Sequence, residues 1–441
     1  MMERPGAVTK LMAGLLCGVL PALALAQAPA APFVVTGDKI SAGDTAWMLS
    51  ATALVLLMTI PGLALFYAGM VRKKNVLSTA LQSFAIAGLV TVLWVVVGYS
   101  LAFTPGSSFI GGLDRLFLHG LSYVKSTGEL SVSHLAPTIP ESVYVMFQLT
   151  FAIITPALIT GAFAERIKFS ALMVFILLWT LCVYIPVAHW VWEPTGWLAA
   201  LGVLDFAGGT VVHINAGVAG LACAFVLGPR TGYGQQPFLP YNLALTLVGA
   251  SLLWVGWFGF NAGSAVASDG RAGMAMLVTQ VGAATASMTW MAVERLRRGH
   301  ASLLGGCSGA VAGLVAITPA SGFVDVQGAL LIGVAAGVLC YWGATGLKWT
   351  MGADDTLDVF GIHCIGGLAG AVLTGVFASA DIGGVVGNPL IQALGALAVL
   401  LYSGLVSLAI LLALKFTMGL RVSRDEEEIG LDLTQHSEAI E

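Results

Sequence analysis

The chain has 441 residues, of which 58% are hydrophobic and only 10% charged, with a formal net charge of −4. Soluble domains carry about 25% charged residues, so this composition excludes an ordinary water-soluble enzyme and points to a lipid bilayer as the solvent. The charge balance provides no basic cluster for nucleic acid, and the chain has no nucleic-acid partner on this reading.

At the N-terminus, Arg4 and Lys10 precede an apolar stretch from Leu11 to Leu25. The stretch ends in Ala24-Leu25-Ala26-Gln27-Ala28, with small residues where a signal peptidase cuts. Residues 1–26 therefore read as a signal peptide, with an uncleaved extra helix as the alternative, and 27–44 as a periplasmic N-terminal segment. Cys17 follows two leucines rather than a small residue, which argues against lipoprotein processing.

Windows of ~20 apolar residues, each long enough to cross ~30 Å of hydrocarbon, then recur to the tail. They predict an all-α polytopic membrane protein with eleven transmembrane helices near 45–70, 77–103, 141–163, 169–190, 208–228, 241–262, 273–294, 302–319, 325–347, 357–378 and 390–418. Residues 45–418 form the membrane domain, and the acidic residues 419–441 form a tail too short for an enzymatic output domain. Thr104 to Pro140 is the longest connector and is polar. The 55 glycines fit helices packed backbone to backbone. Cys182, Cys223, Cys307, Cys340 and Cys364 lie in apolar segments without CxxC spacing, so neither a disulfide framework nor a zinc finger is indicated.

Basic residues set the orientation. With the N-terminus outside, the inner side collects thirteen Lys and Arg residues, among them Arg72, Lys73, Arg166, Arg230 and Arg298. The outer side collects four: Lys39, Arg115, Lys125 and Arg271. The tail is then cytoplasmic.

An internal echo supplies the architecture. His213-Ile-Asn-Ala-Gly-Val-Ala-Gly220 matches His363-Cys-Ile-Gly-Gly-Leu-Ala-Gly370, and each histidine follows an aspartate, Asp205 or Asp355, by eight residues. Halves at about 45–228 and 241–378 hold five helices each, with an eleventh at 390–418, and an odd number inserts the second half upside down. This five-plus-five inverted repeat places a functional site near the midplane, at a pore through each subunit. A rise of ~1.5 Å per residue puts each histidine ~12 Å beyond its aspartate, so the two approach the midplane from opposite sides. Ionisable residues at that depth face a bundle interior or a pathway; two separate histidines bonded to helix backbone are the bland alternative. Two imidazoles could also bind copper or zinc, but a closed zinc site takes four ligands, and no third comes at ligand spacing.

Trp257, Phe260 and Ser264 share one face of the sixth span, Trp192 closes the fourth, and Phe147 and Phe151 line the third. Aromatic faces and a hydroxyl oxygen can hold a cation, while an interfacial aromatic belt is the competing account. A narrow apolar lumen beyond them would reject a hydrated metal ion, because desolvating charge is costly. A cation able to shed its proton could cross as a neutral molecule.

The runs Phe147-Gln-Leu-Thr-Phe151, Gly161-Ala-Phe-Ala-Glu-Arg166, Asp205-Phe-Ala-Gly-Gly-Thr-Val-Val-His-Ile-Asn215, Gly256-Trp-Phe-Gly-Phe-Asn-Ala-Gly-Ser264 and Asp358-Val-Phe-Gly-Ile-His363 are long, ordered and distributed. On these, the chain resembles the ammonium transporter, methylammonium permease and Rhesus family from first span to tail. The presence of Trp192 and Ser264 places it with the bacterial ammonium transporters. The resemblance implies that Phe151, Trp192 and Ser264 recruit ammonium outside and that Phe151 and Phe260 stack as a gate. It makes His213 and His363 the pore pair, and Asp205 a structural acid near the recruitment site, with Trp257 beside it. It also implies a homotrimer in lipid at the bacterial inner membrane, no cofactor, and a cytoplasmic PII-type signal protein as partner. At the tail, His436-Ser437-Glu438 departs from the family's His-Gly-Glu, which bears on regulation through that segment. Two rival functions remain: an ammonium sensor acting through a partner, and a channel for another neutral solute such as urea or carbon dioxide.

Overall fold

A computed structural model describes residues 31–440. The signal segment at 1–26 lies outside the described residues. Among the described residues, eleven apolar helices succeed one another: α1 (Ala42–Met70), α2 (Lys73–Phe103), α3 (Glu141–Phe163), α4 (Phe169–Leu201), α5 (Gly209–Leu227), α6 (Leu243–Gly263), α7 (Gly270–Arg298), α8 (Leu303–Ile317), α9 (Val326–Met351), α10 (Phe360–Phe377) and α11 (Pro389–Thr417). The chain is an all-α polytopic membrane protein. At 15 residues, α8 is the short member. The fourth helix opens at Glu193–Gly196, directly after Trp192.

Many helices begin on a side chain that satisfies the first free amides. Asn242 accepts from the amides of Ala244 and Leu245 at 2.9 and 3.1 Å. Asp269, Ser302 and Asp325 accept from Ala272, Gly305 and Gly328 at 2.8–2.9 Å. In lipid such caps matter more, because water is not there to substitute.

Burial sorts the helices. The core of α3 is 94% buried and that of α5 78%, against 28% for α11. The helices bearing Phe151 and His213 are therefore interior elements, while α11 presents its apolar side outward. Close packing is achieved at glycines. A methyl group on Gly367 of α10 would lie 2.8 Å from the carbonyl oxygen of Gly209, and one on Gly217 of α5 would collide with the backbone of Cys364. The two histidine-bearing helices thus touch main chain to main chain.

Both of these helices start with a wide π turn, Gly209–Ile214 in α5 and Phe360–Cys364 in α10. Each turn is capped by the repeat-related aspartate. Asp205 accepts from the amides of Gly208, Gly209, Thr210 and Val211 at 2.6–3.0 Å. Asp355 accepts from Val359 and Phe360 at 3.1 and 2.8 Å.

The two ends of the bundle differ. At one, here the aromatic end, the connector read as a polar loop contributes β2 (Tyr123–Val124) and β3 (Glu129–Val132) to a small antiparallel sheet with β1 (Phe33–Thr36). The register pairs Phe33 with Val132 and Thr36 with Glu129. Strands of two to four residues are too short to leave a period in the sequence. At the opposite, basic end, α12 (Arg424–Ile429) and α13 (Leu431–His436) fold the tail back onto the bundle. Asp432 accepts from the amides of Leu77 and Ser78 at 3.0 and 2.7 Å, and buried Glu427 pairs with Arg421 and accepts from the amide of Thr231.

Candidate functional site

At the aromatic end, α3, α4 and α6 converge on a pocket of about 160 Å³, lined by Phe151, Trp192, Ser264, Tyr144, Gln148 and Phe206 among others. The Trp192 ring stands edge-on to Phe151, with centroids 5.8 Å apart and planes at 88°. It is fixed by its Nε1 donating to the Asp205 carbonyl at 2.9 Å. Asp205 therefore does two jobs: its carboxylate starts α5 and its carbonyl positions Trp192. The Ser264 hydroxyl donates to the Phe260 carbonyl at 2.8 Å, leaving its lone pairs for the pocket.

Phe260 lies beneath this pocket. Its ring stacks on Phe151 at 4.2 Å with planes 25° apart, and the two rings separate the mouth from the lumen beneath. Phe147 packs behind Phe151 at 5.0 Å and lines neither space. Trp257 lies one level deeper than a mouth residue. It stacks on His213 at 5.4 Å and donates from Nε1 to Thr318 at 2.8 Å. Two helical turns separate Trp257 from Ser264, so a shared face still means different depths.

Past the phenylalanines the free space falls to about 10 Å³, room for roughly one water-sized molecule. Met58, Leu63, Phe66, Ile154, Leu158 and Val311 supply apolar walls to it, and His213 and His363 the polar edge. Nδ1 of His213 lies 3.2 Å from Nδ1 of His363, with the ring planes only 16° apart. A hydrogen bond between two Nδ1 atoms needs one protonated and one bare nitrogen. With both rings neutral, such a bond makes them complementary tautomers: one Nε2 donates and the other accepts. Nε2 of His213 is buried with no protein partner.

The basic end opens into a cavity of about 240 Å³ whose lining includes Arg72, Glu165, Arg230, Glu294 and Asp358. An ion-pair network braces its rim. Glu165 accepts from the backbone amide and Nε of Arg72 at 2.7 and 2.8 Å and sits 3.6 Å from Arg230. Arg230 is bidentate to Asp354 at 2.8 and 2.9 Å. Burial pushes both carboxyls up, but the guanidinium partners outweigh it and hold them below the usual carboxylate range. Sequence spacing does not mark this network; its members lie far apart along the chain, and only tertiary folding joins them.

Among the described residues, no group of three or more His, Cys, Asp or Glu side chains could hold a metal ion. The two imidazoles face each other, so their paired nitrogens are already engaged.

The relatives of the chain agree with this architecture. An ammonium transporter of Mycobacterium tuberculosis is 49% identical over 429 residues, covering 90% of each chain. The crystal structure of Candida albicans Mep2 superposes with a TM-score of 0.80 at 34% identity, covering 88% of each chain. A solved structure described as a sensor Amt protein matches with a TM-score of 0.81 at 28% identity, covering 89% of this chain and 98% of that one. The model of the Ammonium Transporter Family matches residues 46–440, and the chain belongs to that family.

Proposed function

We propose that the protein takes up ammonium across the bacterial inner membrane, with the aromatic end outside and the tail in the cytoplasm. Ammonium is held by Phe151, Trp192 and Ser264, passes its proton to water of the mouth pocket or to the bare imidazole nitrogen below the Phe151–Phe260 stack, and crosses as ammonia past His213 and His363. The observation carrying this reading is the order of spaces along one axis: aromatic pocket, stacked rings, then a lumen of about 10 Å³ edged by two imidazoles. Ring faces attract the cation. The narrow apolar lumen penalises charge strongly and a small neutral amine far less. One accepting and one donating imidazole edge match ammonia, which has a lone pair and N–H groups. The outward placement of the aromatic end is supported by the excess of Lys and Arg at the other end.

Assembly as a homotrimer in lipid, with one pore per subunit, and control by a cytoplasmic PII-type signal protein belong to the same reading and rest on the family resemblance. Sensing is the second reading, favoured by the likeness to the sensor Amt structure. Reconstituted vesicles decide between the two: ammonium-driven current and methylammonium uptake are expected. Undiminished flux after replacing His213 and His363 together would overturn the pore assignment, and absence of any uptake by the intact protein would favour sensing.

A further inference from the structure

Beyond the end of α6, past Ser264, the backbone of Val266 turns into the left-handed region with φ of 56°. Its amide donates to the Gly263 carbonyl at 2.9 Å, and that of Ala265 to Ala262 at 3.3 Å, so the turn satisfies the last carbonyls of the helix. Glycine or asparagine makes such a helix-ending turn without strain, whereas a side chain branched at Cβ is the least suited to it. Among the described residues, Val266 is the only β-branched one with positive φ. Strain of this kind persists at sites where the surroundings require the side chain, and the turn alone does not require an isopropyl group. Val266 is only partly buried, and it lines the mouth pocket with Phe151, Trp192 and Ser264. Leu135 is the one other aliphatic residue of that lining.

We propose that Val266 sets affinity at the mouth: its isopropyl group, held at a cost in backbone strain, is an aliphatic wall that keeps water off a cation held by the Phe151 and Trp192 rings. This rests on the vestibule reading of the pocket. A space of about 160 Å³ has room for several waters beside ammonium, so the rest of the lining decides how wet the cation stays. An aliphatic surface offers that water no hydrogen bond. The attraction of a cation to a ring face is at least twice as strong out of water as in it. Glycine at this position would serve the turn better and the bound cation worse.

The test is ammonium-driven current in proteoliposomes holding the full-length protein, read as half-saturating concentration, beside the denaturation midpoint. Val266→Gly and Val266→Asn both suit the left-handed turn and remove the wall. In each, half-saturation is expected to rise about fivefold, the difference between a dry and a wet cation–ring contact, with the midpoint at or above the parental value. Val266→Ile keeps wall and strain, and its half-saturation is expected to be parental. Unchanged half-saturation in the glycine and asparagine variants, or an equal rise in Val266→Ile, overturns the proposal. So does a rise that comes only with a lowered midpoint, since that reports a collapsed turn. Should Val266→Gly fail to fold, Val266→Asn decides by the same readings. Trp192→Leu is expected to cost less in the Val266→Gly background than in the parental one, because a wet ring is worth less; equal costs overturn the role of the wall. No change on Trp192→Leu in the parental protein removes the vestibule itself, whereas failure of the wall alone leaves that change in place.

Discussion

Asp205→Asn offers the sharpest separation between a structural and a chemical acid. Oδ1 takes the amides of Gly208 and Gly209 at 2.8 and 2.6 Å, and Oδ2 those of Thr210 and Val211 at 2.8 and 3.0 Å. Asparagine retains one oxygen and turns an NH2 group toward the other two donors. Two buried amides then lose their acceptor at roughly 1–3 kcal/mol each, so destabilisation of roughly 2–6 kcal/mol is expected. Because the Asp205 carbonyl also holds Trp192, ammonium half-saturation should rise as the loop relaxes. The assay is the denaturation midpoint of the detergent-solubilised protein beside uptake per folded molecule. A variant with parental stability and abolished flux would refute the capping argument and make the carboxylate a direct proton carrier.

Three further outcomes are expected from the same geometry. Asp355 lies outside the spans, and burial first, then neighbouring Asp358, push its carboxyl from 3.8 up to about 6. A raised carboxyl is favoured protonated in the folded state, so its stabilising effect is full below about pH 4 and is lost as pH rises through about 6, by roughly 3 kcal/mol. Asp355→Asn should flatten thermal stability across that window, and an unaltered slope would count against the assignment. In His134→Ala the buried Glu193 carboxylate loses the hydrogen-bond partner 3.0 Å away, a loss of roughly 1.5–3 kcal/mol in chemical denaturation; a change under ~1 kcal/mol would mean that the hydroxyl of Thr195, which donates to the same carboxylate at 3.4 Å, suffices. Gly367→Ala should force α10 from α5 and cut methylammonium uptake, while Gly88→Ala, with nothing within 4 Å, should leave uptake intact. Equal behaviour of the two would show that the close contact is dispensable.

The apolar windows located ten of the eleven helices to within a few residues, because a bilayer imposes length directly on composition. The fourth was the exception: expected near 169–190, it runs past a break at Glu193–Gly196 to Leu201, and that break has no strong hydropathy signature. Depth was harder to read than direction. Trp257 and Ser264 share a helical face, yet one touches His213 and the other opens to the mouth pocket. The repeat of aspartate and histidine was legible as spacing, and Asp205 as a structural acid at a helix start; that the capped turns are π turns was not, because the wide turn depends on tertiary packing at the helix start. The brace of Arg72, Glu165, Arg230 and Asp354 was invisible for a different reason. Its charges looked like ordinary residues at the ends of spans until folding buried them together.

The main-chain contact between α5 and α10 has a consequence for how the lumen can change. Side chains at an ordinary interface yield by turning to another rotamer, but here Gly217 and Gly367 leave nothing to turn. The distance between the two imidazoles is therefore gauged by backbone, like a fixed orifice rather than an elastic sleeve. Such an orifice does not spread to admit a larger solute. Widening the lumen would fall to the apolar side chains of its other walls, such as Met58, Leu63 and Ile154, while the spacing of the histidine pair stays set.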